Sequence, residues 1–191
     1  MKPSPADPAF KKYVVAGLKA LAASPTLEAR RTLKAITSGR VKIDGFSDLT
    51  AADFKKVRRD VPGVGAKLDA RANRAISKAL DGYMWDDRVY VHRDLSPVRL
   101  ASVLVHEVTH VLMKSEENYR GPKAALLQEY AAFYAEKRFR GVEMTPEKCR
   151  ALKREIIESY GLKGVQPEDV PDQPQVRVTP RARSSAARAS R

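Results

Sequence analysis

Helix punctuation is the feature of this sequence that most limits how the chain can fold. Four times, a short capping side chain stands directly before a proline. This pair opens an α-helix, because the side chain accepts a backbone N–H and the proline ring presets a helical φ. The pairs are Asp7-Pro8, Ser24-Pro25, Ser96-Pro97 and Thr145-Pro146. Glycines that can end a helix in the left-handed conformation are Gly39, Gly82, Gly141 and Gly161. The predicted helices are 8–23, 25–38, 51–60, 65–81, 97–114, 122–140 and 146–160.

Short strands are predicted between these helices. Val89, Tyr90 and Val91 have the β-branched and aromatic character typical of strands. Asp86-Asp87 separates residues 88–92 from a second candidate strand at 83–85, which predicts a β-hairpin. Residues 41–43 are a candidate third strand. Together these patterns predict an α+β fold that is mostly helical.

Composition divides the chain into three predicted regions. Residues 1–80 form a basic helical region with a net charge of +10, whereas residues 81–173 carry a net charge of −2. Residues 81–161 are the predicted metal-binding, catalytic region. Residues 162–191 are rich in Pro, Arg and Ala without apolar periodicity, and this composition predicts a disordered, basic tail.

Two of the three histidines lie in His106-Glu107-Val108-Thr109-His110, an HExxH pattern inside a largely apolar helical segment. Residues four apart on a helix lie one turn above each other, so both imidazoles can bind one Zn²⁺ at about 2.0–2.1 Å. Burying these polar groups is costly without a partner, and a metal ion supplies one. Glu107 would then take a proton from the zinc-bound water as that water attacks a carbonyl. The alternative is a pair of core histidines with ordinary hydrogen bonds.

A catalytic zinc ion usually has three protein ligands, so one more is needed. His92 is the remaining histidine, and Glu129 and Glu136 lie on the next predicted helix, 122–140. Apolar and small residues surround Glu129, whereas Lys137-Arg138 after Glu136 indicate a solvated face. Glu129 is therefore the favoured third ligand, ahead of Glu136 and His92.

An HExxH pattern followed by a glutamate on the next helix resembles the gluzincin branch of the zincin metallopeptidases, over about residues 83–140. The resemblance implies that the two motif histidines and Glu129 bind zinc, that Glu107 is the general base, and that the substrate is a peptide or protein. It also implies that the strand at 88–92 is the sheet edge that pairs with an extended substrate. No histidine follows the motif, which excludes the metzincin branch.

A hydrogen-bond donor is also needed, because attack on a carbonyl develops negative charge on its oxygen. The candidates are Tyr119, Tyr130, Tyr134, Tyr160 and His92. The sequence does not choose among them, and each can also be an ordinary packing residue.

A Pro-Gly-Val-Gly turn at 62–65 resembles the hairpin of helix-hairpin-helix DNA-binding modules, over about residues 51–78. The resemblance implies phosphate contacts by the backbone at Gly63 and Gly65 and by the side chains of Lys67 and Arg71. Together with the basic N-terminal region and tail, it supports an alternative function, a DNA-associated protein whose zinc site is mainly structural. A plain interhelical turn, and charge that only keeps the protein soluble, are simpler explanations.

The expected location is the cytoplasm. No apolar run approaches the roughly 20 residues needed to span a bilayer, and residues 1–8 lead into no apolar signal-peptide segment. Cys149, the single cysteine, allows no internal disulfide. Export by a machine that reads no cleavable signal stays compatible with the sequence, so an exported toxin or effector peptidase is a further alternative.

Overall fold

The HExxH pattern lies on a helix at the centre of the fold. The computed structural model describes residues 8–45, 81–92, 94–113 and 121–176. Its helices are α1 (Pro8–Ala23), α2 (Leu27–Thr37), α3 (Pro97–Met113), α4 (Pro122–Phe139), α5 (Pro146–Ser159) and the short 3₁₀ helix η1 (Pro167–Asp169). Its strands are β1 (Lys42–Gly45), β2 (Gly82–Trp85) and β3 (Arg88–Val91). The mostly helical α+β fold is thus confirmed, while the helices predicted at 51–60 and 65–81 fall almost wholly outside the described residues. No helix in the described ranges is long and apolar enough to cross a membrane.

Helix starts follow the predicted capping chemistry at α3 and α5. Ser96 and Thr145 each accept a hydrogen bond from the backbone N–H three residues further on, at 3.3 and 3.4 Å. At α2 the cap is Thr26 rather than the predicted Ser24, and its hydroxyl accepts from the N–H of Ala29 at 3.3 Å. The helix therefore begins after the proline, because a threonine in extended conformation directly precedes its first turn.

The three described strands form one sheet in the order β1-β3-β2. β3 is antiparallel to β2, which confirms the predicted hairpin through Asp86-Asp87, and it is parallel to β1. The prediction that the strand at 88–92 is a free edge for substrate pairing is therefore wrong, because β1 occupies its second side. Gly82, predicted to end a helix, is instead the first residue of β2.

The main core surrounds α3. From Leu100 to Met113 its residues are buried, apart from the half-buried His106. One cluster of buried apolar side chains joins α1, α2, β3, α3 and α4. Helix α1 lies close to α3 at Gly17, where an added Cβ would lie 2.5 Å from Leu100 Cδ2. The described part of the basic region 1–80 therefore shares its core with the motif helix.

Residues 162–176, predicted to belong to a disordered tail, instead pack against α4 and α5. Val165, Pro167 and Val170 are buried, and the ammonium group of Lys153 donates to the Val170 carbonyl at 2.8 Å. The prediction of disorder is therefore wrong as far as residue 176, because scattered apolar residues in this stretch cover a second apolar cluster. That cluster contains Leu126, Tyr130, Cys149, Leu152 and Ile156. Residues 177–191 lie outside the described residues.

Candidate metal centre

Helix α3 presents two imidazoles to α4. His106 and His110 lie one turn apart, and their Nε2 atoms approach to 3.2 Å. Their ring centroids are 5.0 Å apart in an edge-to-face arrangement. Burial, together with the neighbouring His106, lowers the pKa of His110 to about 3. This imidazole is therefore neutral at pH 7, which is the form that binds a metal ion.

Helix α4 adds the carboxylate of Glu129 to this pair. Its Oε2 lies 3.9 Å from His106 Nε2 and 3.7 Å from His110 Nε2. With the distance between the two nitrogens, these values define a triangle whose corners all lie about 2.1 Å from one central point, the length of a Zn–N or Zn–O bond. The ligand atoms of these residues all lie within 4.8 Å of one another. The three side chains could therefore hold one metal ion between them.

Tyr160, just after α5, contacts the same carboxylate. Its hydroxyl donates to Glu129 Oε2 at 2.9 Å, the oxygen that faces both histidines. Burial, followed by the charge of Glu129, raises the pKa of Tyr160 well above its ordinary value. The hydroxyl therefore keeps its proton, and it lies next to the candidate metal ligands.

The other predicted stabilisers have different partners. Tyr130 donates its hydroxyl to the Asp172 carbonyl at 2.6 Å, and the Tyr134 ring lies 5.8 Å from the Tyr130 ring. Nδ1 of His92 lies 3.8 Å from Asp94 Oδ2. His92 is not part of the cluster formed by the two motif histidines and Glu129. These three side chains therefore contact other parts of the fold. Outside the described residues lie Tyr119 and the predicted nucleic-acid contacts Gly63, Gly65, Lys67 and Arg71.

Glu136 is the site residue that the sequence prediction placed wrongly. It is buried rather than solvated, because its side chain points towards α3. Its Oε2 lies 3.3 Å from His106 Nδ1, and its Oε1 accepts from Ser102 Oγ at 2.9 Å and from Arg99 Nη1 at 2.8 Å. The contact with Nδ1 is not aligned as a hydrogen bond, although that nitrogen is fully buried. Burial opposes ionisation of Glu136, but His106, Ser102 and Arg99 outweigh it and lower its pKa to about 2.

An ionised carboxylate behind a metal-binding imidazole fixes the ring orientation and raises its basicity. Burial by itself would lower the pKa of His106, but Glu136 and the other nearby carboxylates raise it above its ordinary value. The carboxylate of Glu136 therefore stabilises positive charge at His106. With Glu136 on its Nδ1 side, the His106 ring has Nε2 towards Glu129, the position that a metal ligand requires.

Arg99 links Glu136 to the sheet. Its Nη2 lies 2.6 Å from Asp81 Oδ2, and its Nη1 lies 2.8 Å from Glu136 Oε1. Because the Arg99 side chain is 44% exposed, these ion pairs add little stability by themselves. Their effect is geometric, since one side chain ties the start of β2 to α3 and α4.

The sequence spacing of Glu136 and Arg99 indicates that each lies near a candidate ligand. Glu136 follows Glu129 by seven residues, and Arg99 precedes His106 by seven residues. Seven residues are close to two helical turns, so each pair lies on one helix face. Polar residues at this spacing from a ligand are therefore candidates for supporting that ligand.

Glu107 lies against the first residue of β2. It is 9% exposed, and its Cγ and Oε1 are 3.0 and 3.2 Å from the position that a Cβ on Gly82 would occupy. Burial raises the pKa of Glu107 to about 7, with His106 opposing the rise and Glu129 adding to it. A carboxyl group with a pKa near neutrality suits proton transfer, so this environment fits the predicted general base.

In the Gly82→Ala variant, the hydrolytic activity that the sequence predicts is expected to fall out of proportion to the loss of stability. The new methyl group would lie 2.4 Å from Val103 Cγ1 and would push against Glu107. Overpacking of this kind costs about 1–3 kcal/mol. Gly17→Ala is the matched control, because it crowds Leu100 at 2.5 Å on the α1 side of α3. Chemical denaturation measures the stability of both variants, and hydrolysis rates are measured well below their unfolding midpoints. Equal losses of activity in Gly82→Ala and Gly17→Ala would contradict a specific effect on Glu107.

Comparisons with known proteins give no relative for this chain. No family model, no curated protein and no solved structure matches it. The case for a function therefore depends on the side chains of the site.

Proposed function

We propose that the protein is a zinc-dependent metallopeptidase that hydrolyses peptide bonds in a peptide or protein. The proposal is carried by the triangle of His106 Nε2, His110 Nε2 and Glu129 Oε2, with sides of 3.2, 3.7 and 3.9 Å. Two imidazoles and a carboxylate are a ligand set found in hydrolytic zinc sites. The carboxylate of Glu136 behind His106 is the expected support for such a ligand.

The number of ligands favours a catalytic ion over a structural one. Structural zinc sites are closed by four protein ligands, whereas catalytic sites keep one position for water or substrate. Within the described ranges, the group that can hold a metal contains three residues. Glu129 is also 21% exposed, so solvent reaches the site from the α4 side. This arrangement supports the peptidase over a DNA-associated protein with a structural zinc.

The surrounding side chains have distinct roles in the proposed reaction. Zinc would polarise the substrate carbonyl and lower the pKa of a coordinated water towards ~7. Glu107 accepts a proton from the attacking water and passes it to the leaving amine. Tyr160, whose hydroxyl keeps its proton beside Glu129, would turn from Glu129 and donate to the negative charge that develops on the carbonyl oxygen.

Metal content is the direct test of this proposal. The full chain, purified without chelators, is expected to contain about one zinc per chain, since an incomplete site would leave buried polar groups without partners. Elemental analysis together with hydrolysis of a fluorogenic peptide library measures both parts of the proposal. A folded, metal-free protein that takes up no added zinc would exclude it.

Two glutamates on α4 are expected to differ in their effect on zinc affinity. Glu129→Ala removes a ligand and is expected to abolish stoichiometric binding. Glu136→Gln keeps the ligands but removes the charge behind His106, and such changes weaken metal affinity by about 10–100-fold. Competition with a zinc-binding dye measures both affinities. Equal affinities in wild type and Glu129→Ala would show that Glu129 is not a ligand.

A nucleic-acid partner stays a prediction. Its proposed contacts lie outside the described residues, and so do all five arginines of the C-terminal stretch 174–191. Binding that weakens steeply with salt would support it, because phosphate contacts release counterions.

A further inference from the structure

A cavity of about 270 Å³ lies between α4 and α5, next to the candidate metal centre. A single buried water needs only about 10–15 Å³, so this space can hold an amino-acid side chain. Its lining includes Phe133, Leu152 and Ile156, which give it an apolar floor. The cavity therefore favours a ligand with an apolar stem.

The rim of the cavity adds positive charge to this apolar floor. Lys137, in the last turn of α4, and Arg140, the residue that caps the C-terminal end of α4, both line the cavity. In the part of the chain that the structure describes, neither side chain forms an ion pair. Arg99, which also lines the cavity, is paired with Asp81 and Glu136. Glu155 faces them from α5, so the unpaired charges of the lining sum to one positive charge. A carboxylate on an apolar stem is the chemistry that fits.

Three lining residues connect the cavity to the catalytic side chains. The Phe133 ring packs edge-to-face on His106 with centroids 4.5 Å apart. The Tyr160 hydroxyl bonds Glu129, and Glu136 lies behind His106. A group bound in the cavity would therefore lie close to the bond that the proposed peptidase cleaves.

We propose that this cavity is the specificity pocket, and that it selects a substrate residue bearing a carboxylate on an apolar stem. The carboxylate is either the free C-terminus of an apolar residue or the side chain of an acidic residue within the chain. Lys137 and Arg140 bind the charge, and the apolar floor binds the stem. The role of the cavity in substrate selection rests on the proposed peptidase function, whereas its binding of a carboxylate is tested without any measurement of hydrolysis.

Binding of three small probes to the full-length protein tests the pocket. The probes are N-acetyl-leucine, its neutral amide N-acetyl-leucinamide, and the α-methylamide of N-acetylglutamate, whose single carboxylate is on the side chain. Calorimetry is expected to give at least one carboxylate probe an affinity about tenfold above the neutral amide, as charge-assisted hydrogen bonds provide. Preference for the first acid indicates C-terminal residues, and preference for the glutamate probe indicates internal acidic residues.

Matched variants separate the pocket from general charge effects and from direct binding to zinc. Lys137→Met combined with Arg140→Met is expected to abolish the preference while zinc content is unchanged. Arg154→Met with Lys163→Met removes the same charge from exposed positions outside the cavity and is expected to retain it. Ser159→Trp, which fills the cavity from an exposed position on its wall, is expected to weaken all three probes.

The outcomes of these experiments distinguish the proposed specificity pocket from the proposed peptidase function. Equal affinities for acid and amide, or a preference that survives the double change at Lys137 and Arg140, would overturn the pocket. A preference that depends on these two residues in a protein without zinc or hydrolysis would uphold the pocket and remove the peptidase.

Discussion

Glu107→Gln is expected to retain zinc and to lose hydrolysis by about 10²–10⁴-fold, the range that a general base contributes. The amide has nearly the shape of the carboxylate, so it preserves the packing against Gly82. It cannot accept a proton, however, and the attacking water would not be activated. Zinc content by elemental analysis and single-turnover rates on a cleavable peptide measure the two effects independently.

His110→Ala is the matched comparison for that variant. It removes a ligand on the same helix, three residues further on, and is expected to lose both zinc and activity. The two variants therefore separate a base from a ligand. Loss of zinc in Glu107→Gln, or full activity with bound zinc in that variant, would show that Glu107 does not have the proposed role.

The parts of the fold that the sequence predicts well are those that local chemistry decides. Thr145 and Ser96 cap their helices because a hydroxyl three residues before a free N–H needs no distant partner. His106 and His110 meet because helical geometry alone places residues four apart on one face. The β2–β3 hairpin is equally local, since two strands and one short turn define it.

The features that the sequence prediction missed depend on contacts between distant segments. β3 is central because β1, more than forty residues earlier in the chain, pairs with it. Glu136 is followed by two basic residues, which is typical of a solvated face, but Ser102 and Arg99 on another helix provide its buried partners. Gly82 marks a close approach to Glu107 rather than a helix end. In each case the partner lies on another segment of the chain, so no local pattern identifies it, although the seven-residue spacing from Glu129 marks Glu136 as a candidate.

The prediction of disorder from residue 162 failed for a related reason. Low apolar content and four prolines are typical of chains that cannot bury enough surface to fold alone. Val165 and Val170 nevertheless become buried, because α4 and α5 provide the apolar surface that they cover. Composition indicates whether a segment can fold by itself. Residues 162–176 are ordered instead by the apolar surface of α4 and α5.

Truncation after residue 161 is expected to destabilise the protein strongly. Burial of Val165 and Val170 contributes about 3–6 kcal/mol in total, a large part of the 5–15 kcal/mol that stabilises a typical domain. The deletion also takes away the carbonyl partner of Tyr130 and both partners of the buried ammonium group of Lys153. An unpaired buried charge adds a further cost of the same order.

A second truncation, after residue 176, is the control for this loss. It keeps every described residue of the C-terminal segment and removes only 177–191, so its thermal midpoint is expected to equal that of the full chain. The chain ending at residue 161 is expected to unfold more than roughly 10 °C lower, given a total loss of about 6–12 kcal/mol and about 2–4 °C per kcal/mol at this size. Because α5 leads directly into Tyr160, this shorter chain is also expected to bind zinc more weakly. Calorimetry of the three chains decides the point: equal midpoints for all three would mean that residues 162–176 do not stabilise α4 and α5.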